Sequence, residues 1–379
     1  MSKSLQYGLA KRSFAFLLEL IGFVLVRRAR PKCDPCSIEV RNILLIEPFQ
    51  MGDIAALSAL WKPLKSRFPK AKIWVLGKKN AVDLAGHFEE VDEAVSATFP
   101  WTEKGSKMKA FKSWLSDMRA LNKHGFDLGL DVRGDVRSHI SLLLAGCKSV
   151  VSYRQYVNSD IFNHGLLCDL ELPPSPHSHV LDKNRYLLTG LGFRLDDLFP
   201  LQFPLATIKS GFTKQVPVPV LFHIGASWEF KRWPARRWVE LLTLWKAEGW
   251  DTPSLVVGPG EQHLAQSVLD ALPSGFDFPP VLAPDLSGLL RLLSQTPLLI
   301  GADSGPMTIA NTIGTPRIAI FGPGDPGVWG PYQKPQQTLH EIAQYPCYPC
   351  IQKVCLHPDA PCTSRIQAKD VVEIARNIL

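Results

Sequence analysis

The chain has 379 residues, of which 46% are hydrophobic and 20% charged, which excludes a disordered protein and, at roughly 150 residues per domain, suggests two domains. Its 42 basic and 35 acidic residues give a net charge of +7, and five of those seven charges fall in residues 1–36. A nucleic-acid binder carries its basic stripe on the folded domains, so this distribution argues against a nucleic-acid partner.

Between the N-terminal basic clusters runs an apolar stretch, SFAFLLELIGFVLV at residues 13–26, broken by Glu19. It is short of the ~20 residues that span a bilayer as a helix, and cationic flanks on both sides without a small-residue cleavage site do not suit a signal peptide. Residues 1–40 are therefore expected to form a basic amphipathic segment whose helix lies in the membrane interface, with residues 1–36 drawn to anionic headgroups. The other reading is an amphipathic helix packed on the body.

After this segment the pattern alternates. Residues 42–46 (NILLI) read as a buried parallel strand, followed by a helix over 53–68 and a strand over 72–76. A helix over 106–124, a strand over 127–132, a helix over 135–145 and a strand over 149–153 continue it. The stretch 199–219, with four prolines, reads as a linker. The alternation then restarts, with strands over 220–223, 254–257, 298–301 and 317–321 and helices over 235–248, 261–272, 286–294, 307–313 and 368–379. Two doubly wound parallel-sheet α/β domains are expected, at 41–205 and 206–379, with the ligand ends of their strands around an interdomain cleft.

Eight cysteines fall in three sets: Cys33 and Cys36, Cys147 and Cys168, and Cys347, Cys350, Cys355 and Cys362 in a proline-rich loop over 345–362. The last set reads C-x2-C-x4-C-x6-C, and four thiols so close in sequence suit a structural zinc. The last two spacings match no standard finger, so free thiols or a disulfide are the other readings, and no catalytic role is expected.

Four loops follow strands at their ligand ends. In the first, residues 47–53 (EPFQMGD), Gly52 allows close backbone approach and Asp53 sits at a helix start, as a helix cap or as a reactive carboxylate. This loop lacks the G-x-G-x-x-G of a dinucleotide site, so hydride transfer has no support here. In the second, residues 223–234 (HIGASWEFKRWP), the small residues Gly225 and Ala226 expose backbone N–H groups, Ser227 offers a hydroxyl, and Lys231 and Arg232 offer charge, which suits a phosphate. The same pair also reads as solvated cations. In the third, Asp303, Ser304, Gly305 and Thr308 start a helix that suits an anion, and Asp303 suits ribose hydroxyls or a cap. The fourth, residues 321–326, is a rigid turn, and residues 258–261 are similar, with Glu261 at a helix start.

Taken together, HIGASWEFKRWP, GADSGPMTIANTIGTP and FGPGDPGVWGPY resemble the C-terminal signatures of glycosyltransferase family 9, the family of the ADP-heptose:lipopolysaccharide heptosyltransferases. ILLIEPFQMGDIAALSAL and LDVRGDVRSHISLLLAG are similar to its N-terminal strand-turn-helix units, and the resemblance runs from about residue 41 to 379. It implies a GT-B fold and an inverting, metal-independent transfer without a cofactor, from ADP-heptose to a lipid-linked lipopolysaccharide-core acceptor. It also implies a cytoplasmic enzyme, peripheral on the inner face of the bacterial inner membrane. By the same resemblance Asp53 is the catalytic carboxylate and Lys231 contacts the donor diphosphate. Gly52, Ala226 and Ser227 line the donor loops, Asp303, Ser304 and Gly305 form the nucleotide-binding turn, and Glu261 reaches the ribose. Two departures stand out: Thr308 replaces the family's usual His, and Glu47-Pro48-Phe49-Gln50 replaces a glycine-rich turn. Another nucleotide sugar and another cell-surface glycan, or a non-catalytic nucleotide-sugar-binding or assembly protein, are the alternatives. Arg133, Arg137, Arg154 and Lys109 read either as contacts to an anionic glycolipid acceptor or as solvated charges.

Overall fold

An apolar run buried on both faces forms a strand only where helices cover both sides of the sheet, and this holds in both halves of the chain. A computed structural model describes residues 33–153, 166–173, 175–209, 218–334, 337–341, 355–359 and 361–379, with positions 17, 20–22, 24, 345, 347 and 350. The chain divides into two compact units, Met1–Thr207 and Ile208–Leu379.

The first unit carries β1 (Asn42–Glu47), β2 (Lys72–Gly77), β3 (Glu93–Ser96), β4 (Leu128–Asp131), β5 (Ser149–Tyr153) and β6 (Leu170–Leu172) in the order β3-β2-β1-β4-β5-β6. All pairs are parallel, with Ile43 opposite Ile73 on one side and Leu128 on the other. Leu44 and Ile46 pack in a core with Trp114 and Met118 of the helix Lys107–Asn122 and with Val136 and Leu142 of the helix Val136–Leu144. These helices start on Ser106 and Asp135, whose side chains accept the Lys109 and Arg137 N–H groups, so each has an N-terminal cap. Trp114 Nε1 donates to Ser141 Oγ at 3.0 Å, which satisfies a buried indole and joins the two helices.

The second unit repeats the plan with β7 (Leu221–His223), β8 (Ser254–Val256), β9 (Val281–Leu282), β10 (Leu299–Ala302), β11 (Arg317–Phe321) and β12 (Thr338–His340), in the order β12-β11-β10-β7-β8-β9 and parallel throughout. Phe222, Ile300, Ile318 and Ile320 pack with Trp238, Leu241 and Trp245 of the helix Ala235–Ala247 and with Val371 and Val372 of the helix Ala368–Arg376. Trp233 Nε1 donates to Ile366 O at 3.2 Å, fastening the start of the first of these helices to the segment before the second. Two tandem doubly wound parallel sheets are the α/β architecture expected from the alternating pattern.

The helix expected over 53–68 is two helices, Met51–Ala56 and Ser58–Arg67. The break falls at Leu57, whose N–H donates to Ile54 O at 3.0 Å in a tighter turn than an α-helix makes. Part of the expected linker packs on the first unit: Lys62 Nζ donates to Pro204 O at 2.7 Å, and Thr207 N–H donates to both Glu90 oxygens, at 3.1 and 3.0 Å. Most of the segment expected to meet the membrane lies outside the described residues; positions 17 and 20–22 are helical. Among the described residues no helix is long and apolar enough to cross a membrane.

Both sheets share one topology. Each reverses its order beside its first strand, between β1 and β4 and between β7 and β10, and crevices open outside the strand ends at such reversals. Gly77, at the end of β2, controls the first of these points. A Cβ there would sit 2.9 Å from the Glu47 carbonyl oxygen and 3.0 Å from Ile54 Cδ1, so β1 and the helix after it close over a bare backbone. Replacing Gly77 by Ala is expected to lower stability by about 1–3 kcal/mol through forced displacement of Glu47, read from urea unfolding of the full chain. Unchanged stability would show that the turn after β1 has room to move.

Candidate functional site

The turn after β1 brings the Glu47–Asp53 loop into a helix start. Gln50 takes the cap position and Asp53 the third helical position, so Asp53 is not the N-cap itself. The carboxylate reaches back: its Oδ2 accepts the Gln50 N–H at 3.0 Å. Gly52 precedes it in the first turn and is partly buried. On the other side of Asp53 lies Arg133, in the turn after β4. Its Nη1 is 3.3 Å from Asp53 Oδ1 and 3.4 Å from Glu47 Oε2, and its guanidinium sits 4.2 Å from the centre of the Phe49 ring. Burial pushes the Glu47 carboxyl up to about 8 against the pull of Arg133. Burial works against the charge of Arg133 too, but Glu47 and Asp53 outweigh it and hold the guanidinium protonated.

Asp131, at the end of β4, sets the shape of that turn. It accepts the N–H groups of Arg133 at 3.1 Å and Asp135 at 2.8 Å, the Ser152 hydroxyl at 3.1 Å and His139 Nε2 at 3.0 Å, with both side chains of the ion pair wholly buried. Burial opposes the charge on each, yet the pairing keeps Asp131 below the carboxylate range and His139 well above the usual imidazole range. Cys168 Sγ lies 3.4 Å from His139 Nδ1 and is buried. Arg137, the second arginine of this stretch, is forked onto Asp135 and stacked 5.0 Å from the Trp101 ring centre. Arg133 and Arg137 are thus ion-paired within the unit and are not freely solvated charges. Lys109 is exposed, and Arg154 lies outside the described residues.

In the second unit the same topological point carries Lys231 and Asp303. Lys231 follows β7 on a short 3-10 turn, Glu229–Lys231, and its Nζ is 2.6 Å from Asp303 Oδ2. Asp303 follows β10, with its carboxylate against Gly324, where a Cβ would collide with it. Ser304 caps the helix Gly305–Ile313, and its hydroxyl is 3.4 Å from His223 Nδ1 at the end of β7. Thr308 is buried, and its hydroxyl donates back to Ser304 O at 3.4 Å. Ala226 is buried and its carbonyl accepts Arg232 Nε at 3.1 Å, whereas Ser227 and Trp228 are exposed. Glu261 packs its carboxylate on Gly225, accepts the Gly258 N–H at 2.9 Å and lies 3.6 Å from Arg232 Nη2. Lys231, Asp303, Ser304, Glu261 and Arg232 therefore belong to one polar surface fed by the turns after β7, β8 and β10.

The described residues include all eight cysteines, and no disulfide joins any of them. Among the described residues no three His, Cys, Asp or Glu side chains are arranged to hold a metal ion. Burial pushes the Cys362 thiol up to about 11, and Cys355, Cys350 and Cys347 add to the effect.

Three features escape the sequence reading: Glu47, the Arg133 bridge and neutral His223. The signal for the first is a carboxylate closing an otherwise apolar strand, NILLIE. The second joins residues 80 and 86 apart, and adjacent positions do not show it.

One unit thus places a carboxylate beside the reversal of its sheet, and the other places cations and an anion-suited helix start beside its own. Residues 114–360 match the family model "Glycosyltransferase family 9 (heptosyltransferase)". The chain is 31% identical over 318 residues to lipopolysaccharide heptosyltransferase 1 of Escherichia coli strain K12, which covers 78% of this chain and 92% of that protein. A shorter match, 28% identical over 141 residues, joins it to lipopolysaccharide heptosyltransferase 1 of Pseudomonas aeruginosa, covering 37% of this chain and 38% of that one. The solved structure of ADP-heptose lipopolysaccharide heptosyltransferase II of E. coli is similar in fold, with a TM-score of 0.67 at 20% identity over 89% of this chain and 98% of that one. The chain belongs to glycosyltransferase family 9 and is a glycosyltransferase of GT-B fold.

His223 gives this region a pH signature. Burial lowers its basicity to about 4, with Glu261 acting in the opposite sense. The folded chain keeps it neutral while the unfolded chain takes up a proton near pH 6.5, so this contribution to stability is complete above pH 6.5 and is lost as the pH falls toward 4. The loss is about 3 kcal/mol. His223→Gln is expected to flatten the acid side of the unfolding profile; an unaltered slope between pH 6.5 and 4 would contradict the assignment.

Proposed function

We propose that this chain is an inverting heptosyltransferase that moves heptose from ADP-heptose to a hydroxyl of a lipid-linked lipopolysaccharide-core acceptor. The observation that carries the reading is the paired chemistry of the two reversal points. One holds a carboxylate with lone pairs to spare, and the other holds an ammonium beside the open N–H groups of a helix start.

As the acceptor hydroxyl attacks the anomeric carbon, its proton passes to Asp53, the general base. The oxygen–carbon bond forms on the face opposite the diphosphate, the carbon–oxygen bond to the diphosphate breaks, and the configuration inverts. Asp53 already accepts from Gln50 and Arg133, one bond to each oxygen, and each oxygen keeps a second lone pair for the incoming proton. The leaving ADP gains negative charge. Lys231 has three N–H donors, one committed to Asp303, so two remain for the diphosphate. The N–H groups at the start of the helix Gly305–Ile313 and the hydroxyl of Ser227 complete the anion site, Gly52 and Ala226 keep the loops close-fitting, and Glu261 meets the ribose. No step calls on a metal or a cofactor.

Thr308 supports a second reading in which the transferred sugar is not a heptose, because its hydroxyl is turned to Ser304 where the family usually carries His. Titration with ADP-heptose and with other nucleotide sugars, read by thermal shift, decides between the two.

The membrane surface is the natural partner of a lipid-linked acceptor, and the N-terminal segment suits it. Leu17, Leu20, Ile21 and Val24 are exposed, while Gly22 of the same stretch packs toward Ile140 and Leu167. With the surrounding cations, such a face fits the inner leaflet of the bacterial inner membrane from the cytoplasmic side. Serine at Leu17, Leu20, Ile21 and Val24 together is expected to release the protein from vesicles containing anionic lipid while transfer to a soluble acceptor persists. Undiminished vesicle binding would refute the anchor.

Asp53→Asn tests the mechanism. It is expected to lower kcat by about a thousandfold, in the range of a general-base contribution, with the affinity for ADP unchanged. Near-normal turnover would remove Asp53 from the role of base.

A further inference from the structure

Arg133 stands in a setting unlike that of a cation waiting for an anionic ligand. Its Nη1 is shared between Glu47 Oε2 at 3.4 Å and Asp53 Oδ1 at 3.3 Å, and the Phe49 ring backs it at 4.2 Å. Its own N–H donates to Asp131, which the buried His139 and Ser152 hold in place. Glu47 is 2% exposed, and beyond Arg133 its carboxylate accepts only the Phe49 N–H, at 3.2 Å, among the described residues. A carboxyl buried this deeply is costly unless a partner offsets it, and no packing requirement of an apolar strand calls for one. Its effect is to hold the guanidinium from behind.

We propose that Arg133 is a positioning residue for Asp53, clamped by Glu47 and Phe49 so that the carboxylate is held in one orientation at the end of β1. This rests on the reading of Asp53 as general base. The titratable and charged groups around Asp53 are Glu47 on β1 and Arg133 after β4. Behind Arg133 stand Asp131, paired with His139, and Asp135, paired with Arg137. Of these, only Arg133 places a cation on Asp53. Because the cation is shared, it steadies the base without consuming it: Asp53 keeps a free lone pair on each oxygen.

The experiment compares Arg133→Met, Arg133→Lys, Glu47→Gln and Asp53→Asn in the full chain, with kcat, acceptor KM and ADP affinity read for each. Arg133→Met is expected to lower kcat tenfold or more at unchanged ADP affinity and unchanged acceptor KM, since the base loses the group that orients it. Arg133→Lys should restore most of kcat, because it returns a charged donor to Asp53. Glu47→Gln should lower kcat severalfold by loosening the clamp, and it stands in for Arg133→Met if that variant does not fold. A wild-type kcat in Arg133→Met would overturn the proposal, as would a raised acceptor KM alone, which would make Arg133 an acceptor contact. A wild-type kcat in Glu47→Gln would overturn the clamp. If Asp53→Asn stays active, the reading of the base itself fails; if it is inactive while Arg133→Met is unimpaired, only the positioning role fails.

Discussion

A parallel sheet cannot be closed by hairpins. Each strand must return over a face through a crossover, and a right-handed crossover places successive strands to one side until the chain reverses direction across the sheet. Both units of this protein reverse once, beside β1 and beside β7. At each reversal two neighbouring turns leave the same edge of the sheet in opposite directions, which leaves backbone and side chains open to a ligand. Asp53 and Arg133 are the chemistry of one reversal, Lys231 and Asp303 that of the other. The remaining features follow from having to hold charged groups at those points.

Holding them involves burial that opposes ionisation. Glu47 and His223 are both buried ionisable groups, and burial pushes each toward its neutral form, against the pull of Arg133 on Glu47 and of Glu261 on His223. Asp131 and His139 take the other course, a buried pair in which each partner sustains the charge of the other. Such a pair is weak evidence for stability on its own, since well-packed apolar residues can do as well. Its value here is geometric: Asp131 accepts two consecutive-turn N–H groups and so fixes the loop that carries Arg133. The second unit fixes its cation more simply, with one carboxylate against a glycine.

Much of this was legible in the sequence, and what was not has a physical cause. The central strands announce themselves as apolar runs because both their faces are covered. The strands the pattern does not reveal are β3, β6, β9 and β12, and these are the four sheet edges. An edge strand is half exposed and short, so its residues need not be apolar; EAVS in β3 and LEL in β6 show this. The site divides in the same way. Asp53, Lys231, Ser304 and Gly305 lie in contiguous motifs and could be named from them. The sharing of Arg133 between Glu47 and Asp53 spans more than eighty residues and exists only once β1 and β4 are neighbours. A cation read along the chain either as an acceptor contact or as a surface charge becomes, in the fold, part of the carboxylate's surroundings.

The proposed reaction is an inverting displacement at an anomeric carbon. The most direct measurement is to incubate the full chain with ADP-heptose and a lipopolysaccharide-core acceptor and to follow both products. The proposed function predicts ADP released in equal amount to heptosylated acceptor, with the new linkage inverted at the anomeric carbon by NMR. ADP-heptose left intact, or a product that retains the donor's anomeric configuration, would contradict it.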